Sequence, residues 1–196
     1  MGKMTYDDDK HQYKLDGLIL PSVTQIIQES GLINLEWVDR DLLEAKADLG
    51  RKVHSATELN DTNNLNTKDL HPTLKLYLDS WIKFRTDYKF VLTEIELKLF
   101  HKLYRYAGRI DRVGLLNKKL ILVDIKSGTE QKTSAIQTAG YELLYNQDKK
   151  KGDQIKERMI VYLNPEGYKV IPNNNPNDKS VFLACLTITN YLRSIK

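Results

Sequence analysis

The stretch that most limits what this chain can become runs over residues 108–126, Gly-Arg-Ile-Asp-Arg-Val-Gly-Leu-Leu-Asn-Lys-Lys-Leu-Ile-Leu-Val-Asp-Ile-Lys. Two apolar runs, parted by a polar turn at Leu116-Asn117-Lys118, read as a pair of short strands. One carboxylate, Asp111, stands on the first strand, and an Asp-x-Lys pair, Asp124 and Lys126, closes the second. Side chains alternate across a strand, so Asp124 and Lys126 share one face while Ile125 points to the other. The run Leu120-Ile-Leu-Val123 is apolar without alternation, as a central strand covered on both faces must be. An acid and an amine at the end of such a strand are costly to bury unless they pair or bind a cation.

The rest of the chain supplies the surroundings. Residues 11–20 predict a small hairpin turning at Asp16-Gly17, and Ser22 is placed to cap a helix that Gly31 ends. A longer helix over 35–59 carries Trp37, Leu42, Leu43, Ala45, Leu49, Val53 and Ala56 at helical spacing. On it Gly50 and His54 fall four apart on one face, and a glycine inside a helix, costing about 1 kcal/mol, hints that a backbone or ligand comes close there. A lone helix histidine is more often structural than a ligand. The tract 60–69 is too rich in Asn and Asp to hold a helix or strand and reads as a loop. An amphipathic helix over 72–88 follows, then a strand over 90–100 whose Glu94 and Glu96 point the same way, so alternation does not choose between them. Beyond the Ser127-Gly128 turn, a helix over 132–145 sets Gln137 and Tyr141 at i and i+4. A strand over 157–163, a turn at 164–167, a short return strand and a last helix over 178–194 complete the pattern, without an internal repeat. Together these elements imply a single domain over 1–196 of α/β class, a central mixed sheet with helices on both faces and a small N-terminal hairpin.

Charge and cysteine content exclude several functions. A formal charge of +4 over 196 residues says little by itself about a polyanionic partner. Its distribution says more: from 98 to 119 Lys98, Lys102, Arg105, Arg109, Arg112, Lys118 and Lys119 share the segment with one acid, Asp111. A carboxylate in a basic neighbourhood suits a site that meets phosphates, with Arg109 and Arg112 as candidate DNA contacts; a solvated basic face is the alternative. The single cysteine, Cys185, excludes an internal disulfide and any cysteine-built zinc or iron–sulfur centre, and its apolar context makes it a core filler. No run is long and apolar enough to span a bilayer and the start lacks a signal-peptide core, so a cytoplasmic location is expected. Met1-Gly2 does not make a myristoylation signal because Tyr6 stands where Ser or Thr is needed.

If the two strands of 108–126 pair about their turn, Asp111 and Asp124 come to similar heights and repel unless a cation sits between them. Oxygen ligands suit Mg²⁺, and an imidazole biases the site toward Mn²⁺. Such an ion can activate water and take up charge on a phosphoryl oxygen, while Lys126 orients the water or neutralises the phosphorane. That is the equipment of phosphodiester hydrolysis.

The order Gly50-x-x-x-His54, Gly108-x-x-Asp111, Asp124-Ile-Lys126, Gln137-x-x-x-Tyr141 resembles the PD-(D/E)XK nuclease superfamily in its RecB-like branch, which includes phage recombination exonucleases, CRISPR-associated exonucleases and the mitochondrial genome maintenance exonuclease. Tyr13-Lys-Leu-Asp-Gly17 and Pro21-Ser-Val-Thr24 extend the likeness to the start of phage-type members, so it covers about residues 11 to 145. The resemblance implies a restriction-endonuclease-like core. It implies His54, Asp111, Asp124 and the main-chain carbonyl of Ile125 as ligands of Mg²⁺ or Mn²⁺, with Glu96 at a position where several relatives carry an acid. It makes Lys126 the catalytic lysine beside Asp111 and Asp124, and gives Gln137 and Tyr141 a part in contacting DNA or steadying the site. The activity it implies is a DNA exonuclease of phage or bacterial recombination, repair or replication, acting on single-stranded or duplex ends and served by a single-strand annealing or binding protein. With only Cys185, the chain departs from relatives that carry an iron–sulfur cluster, and no nucleotide-binding loop of a helicase motor is present. A structure-selective endonuclease and a DNA-binding subunit without catalysis are the alternatives, the second opposed by the intact Asp111, Asp124 and Lys126.

Overall fold

The computed structural model describes residues 4–7, 12–33 and 39–195. Its centre is the expected strand pair, β5 (Ala107–Leu116) and β6 (Lys119–Lys126), joined by a turn in which Asn117 and Lys118 have φ of 50° and 66°. Two successive left-handed residues match the twist of antiparallel strands, which is how a two-residue hairpin closes. The ladder registers Leu116 on Lys119 and Arg112 on Val123. β4 (Val91–Phe100) lies antiparallel on the other side of β5, β7 (Glu157–Asn164) lies parallel to β6, and β8 (Gly167–Pro172) closes the edge, giving the order β4-β5-β6-β7-β8. The one parallel pair requires a crossover, supplied by α4 (Ser134–Asn146).

Helices cover both faces, as the unbroken apolar run of β6 demands. On one face α1 (Val23–Glu29), α4 and α5 (Asn177–Ser194) bury Ile26, Leu144 and Phe182 against Ile110, Val113 and Leu122. On the other, α2 (Arg40–Asp61) and α3 (Pro72–Tyr88) bury Val53, Trp81 and Phe84 against Ile121, Val123 and Ile125. Cys185 is a buried free thiol in the first of these cores. Ser22 caps α1 and exchanges hydrogen bonds with Gln25 in a capping box, while Gly31, at φ 77°, follows its end.

The N-terminal hairpin, β2 (Gln12–Leu15) and β3 (Leu18–Leu20), gains an unforeseen partner in β1 (Met4–Asp7), making a separate three-stranded antiparallel sheet. Its Tyr13, Leu15 and Leu20 pack on Ala107, which ties it to the start of β5. Leu35 and Trp37, read above as part of the long helix, lie outside the described residues; the described helix starts at Arg40, capped by Asp39. The tract assigned to a loop is corrected at its start, because α2 continues through Asp61 before Thr62 ends it. Tertiary bonds to the Asp61 side chain outweigh the local helix-breaking preference of the Asn- and Asp-rich segment. Among the described residues, no helix is long and apolar enough to cross a membrane.

Candidate active site

Asp124 follows the alternation of β6. With Ile121, Val123 and Ile125 committed to the α3 face, it falls on the α4 face beside Leu122, and Lys126 falls there too. The Lys126 ammonium lies 2.8 Å from Asp124 Oδ2. Lys126 is the one charged partner this buried oxygen has among the described residues. Burial raises the Asp124 pKa from the ordinary carboxylate value to about 6, against the pull of the Lys126 charge and with the help of nearby Asp111. Burial works against the charge on Lys126 as well, but Asp124 and Asp111 prevail and hold its pKa above the usual lysine value.

Asp111 sits across from Asp124 on β5. Where the next ladder bond would form, the Ile125 amide donates instead to Asp111 Oδ2 at 2.8 Å. The N–H and C=O of one strand residue point to the same side, so the Ile125 carbonyl is offered along the same edge of β6. The other Asp111 oxygen, Oδ1, lies 3.7 Å from Nδ1 of His54, which α2 brings in from the opposite face. The same nitrogen is 4.0 Å from Glu96 Oε1. Burial opposes protonation of His54, yet the Asp111 charge and the Glu96 contact leave its pKa raised.

Glu96 is where simple alternation fails. It stands between the registered pairs Ile95 with Arg112 and Leu97 with Ile110, takes no place in the ladder, and has φ 49°. A left-handed non-glycine residue inside a strand costs on the order of 1–3 kcal/mol and marks a place where the surroundings over-determine the backbone. The twist separates the two acids expected on one face: Glu94 is exposed and adds to burial in raising the pKa of Tyr145, whereas Glu96 turns in toward His54. Burial opposes the charge on Glu96, but His54, Arg112 and Arg109 together hold its pKa below the ordinary value.

The structure therefore brings His54, Glu96 and Asp111 into one cluster, each offering a donor atom within 4.8 Å of the others. Asp124 is outside that compact trio, its carboxylate turned to Lys126. Two carboxylates and an imidazole make a donor set that fits a divalent cation of the hard to borderline kind, and the Asp124 carboxylate, paired with Lys126, stands beside them as a further oxygen donor.

The remaining expected residues divide. Tyr141 is buried, receives a hydrogen bond from Gln137 Nε2 at 3.0 Å, and lies close enough to Asp124 and Asp111 that their charges join burial in raising its pKa. Its ring also explains Gly108: a Cβ there would come within 2.8 Å of Tyr141 Cε1. Gly50 is different, since a Cβ would meet only Ser127 Oγ at 3.6 Å, an ordinary contact, so no backbone crowds that glycine. Arg109 is partly exposed and ion-paired to Glu96 at 2.9 Å. Arg112, read as a DNA contact, is instead wholly buried and cannot reach a phosphate. Sequence reasoning also missed Asp61, which binds Arg112, Arg85 and the Trp81 indole. The signal was present in the spacing of His54, Thr57 and Asp61, at i, i+3 and i+7 on one helix face.

The sequence was compared with known proteins. No match was found among curated proteins. Among solved structures the fold is similar to an alkaline exonuclease from Laribacter hongkongensis, at 11% identity over 89% of this chain and 92% of that one, with a TM-score of 0.42. It is also similar to the protein SSO0001, at 16% identity over 87% of this chain and 74% of that one, with a TM-score of 0.45. A family model matches residues 22–183, from the cap of α1 into α5 and across every strand and helix that builds the site: the chain belongs to the PD-(D/E)XK nuclease superfamily.

Proposed function

We propose that residues 1–196 act as one nuclease domain that hydrolyses phosphodiester bonds from the ends of DNA and depends on Mg²⁺ or Mn²⁺. The observation that carries this reading is the convergence of His54, Glu96 and Asp111, beside an Asp124–Lys126 pair, on one edge of the central strands. His54, Asp111 and Asp124 would hold the ion with the Ile125 carbonyl, and Glu96 completes the set. When bound, the ion supplies Lewis acidity at the scissile phosphate and a more acidic water.

The chain's own groups do the rest. Asp111 is held in place by the Ile125 amide, so its free oxygen keeps one direction. Lys126 is kept as an ammonium by Asp124, charged where negative charge grows on the phosphate and able to hold the attacking water. Gln137 and Tyr141 steady the α4 side of the site, and Arg109, partly exposed while paired to Glu96, is the cation that would receive a phosphate.

Linear and closed-circular DNA, 5′- and 3′-labelled in single- and double-stranded forms, test the proposal with and without a chelator. Release of short labelled products from linear DNA only, abolished by chelator and by Asp111→Asn, is expected. Cutting of closed circles would replace the exonuclease reading with an endonuclease, and wild-type turnover by Asp111→Asn would remove the site assignment.

A further inference from the structure

Arg112 stands on β5 next to Asp111, yet its side chain is entirely withdrawn from solvent. A guanidinium keeps its charge throughout the range in which proteins are folded, so it must find acceptors around its whole fork. Nε donates to Asp61 Oδ2 at 2.7 Å and one terminal nitrogen to Thr57 Oγ1 at 3.2 Å, both on α2. The other terminal nitrogen, NH1, donates to Glu96 Oε1 at 2.8 Å and to the main-chain carbonyl of Asp111 at 2.7 Å. Asp61 is itself fixed by the Trp81 indole at 3.0 Å and by Arg85 at 2.6 Å.

Two of the three residues of the candidate metal cluster thus hang from a single buried nitrogen. Glu96 needs such a tether, because its left-handed backbone persists only where the surroundings dictate it. A fold that merely needed filling here would do as well with apolar side chains, since buried ion networks add little net stability. What an apolar residue cannot do is aim a carboxylate.

We propose that Arg112 and Asp61 are positioning residues for the metal site: Arg112 fixes the Glu96 carboxylate and the Asp111 backbone, and Asp61 fixes Arg112. The proposal rests on the nuclease reading above for its metal. Arg112 reaches the same Glu96 oxygen, Oε1, that faces His54, and Asp61 reaches the cluster through Arg112. Lysine cannot substitute, because a point ammonium lacks the fork that reaches Asp61, Glu96 and the Asp111 carbonyl together.

Mn²⁺ binding without DNA, measured by calorimetry at a temperature where circular dichroism shows each protein folded, provides the test. Arg112→Lys and Asp61→Asn should each bind Mn²⁺ about 10–100-fold more weakly than wild type, the range for losing a partner that orients a ligand. Cleavage by either variant should recover toward the wild-type rate as Mn²⁺ is raised. In a Glu96→Gln background the further loss from Arg112→Lys should shrink to what its hold on the Asp111 carbonyl contributes. A variant that melts earlier but binds Mn²⁺ like wild type would show Arg112 to be structural, and losses that multiply in the double variant would show that it does not act through Glu96. If Arg112→Lys does not fold, Asp61→Asn, which keeps the shape and an acceptor for the indole, makes the same comparison. A wild type that binds Mn²⁺ without cleaving DNA would overturn the nuclease reading and leave the positioning claim standing; one that binds no Mn²⁺ would overturn both.

Discussion

Removing the charge of Asp124 should change how stability depends on pH, and the sign follows from its burial. An aspartate that ionises at its ordinary value near 3.8 when unfolded but near 6 when folded keeps its proton longer in the native state. Between those two values the native protein binds more protons than the unfolded chain, so stability falls as pH rises. The gap of about 2 pKa units corresponds to about 3 kcal/mol, lost from the wild type between pH 4 and pH 7 through this group. Asp124→Asn cannot ionise and escapes that loss. Measured in chelator, the stability of Asp124→Asn relative to wild type should therefore climb by about 3 kcal/mol over this interval, or roughly 6–12 °C in relative melting temperature for a chain of this size. The comparison cancels the pH dependence of groups on which the Asp124 charge does not act, such as Glu96, whose lowered pKa acts in the opposite sense. Urea titrations at pH 4, 5, 6 and 7 give the difference directly. A flat difference, or one that falls with pH, would refute the argument that burial dominates at Asp124. Mn²⁺ should reverse the wild-type trend, because ligation favours the ionised carboxylate.

Two further outcomes follow from the same geometry. Lys126→Ala should leave binding of DNA nearly intact while slowing cleavage by about 10²–10³-fold, the loss typical of one donor to developing charge; gel-shift and single-turnover assays separate the two, and an unchanged rate would make the lysine structural. Gly108→Ala should destabilise the fold by about 1–2 kcal/mol, since overpacking against Tyr141 and Leu144 of α4 exceeds the gain in backbone entropy, as read from the urea midpoint at constant slope.

Much of the geometry of the candidate site was legible in the sequence. The period-2 alternation of β6 put Asp124 with Lys126, and the two-residue turn fixed Asp111 across from them, because local geometry alone sets both. The cap at Ser22 is likewise a local matter, whereas the close approach expected at Gly50 is found instead behind Gly108, where Tyr141 arrives from a distant helix. Glu96 was different: its place depends on one left-handed residue within a strand, which no alternation rule anticipates and which only the network around it maintains. Arg112 and Asp61 were misread for a related reason. Composition marks a cation as solvent-facing and an Asn- and Asp-rich tract as loop, and both rules yield when 51 residues of sequence separation close into a buried ion pair. The strand pair, the shared face of Asp124 and Lys126 and the family could be read from the sequence, because those rest on periodicity and motif order. Which acid joins His54, which arginine is buried and which partly exposed, and what holds the cluster in place come only from the tertiary fold, because each depends on side chains from α2, β4 and β5 meeting where no one segment's pattern reaches.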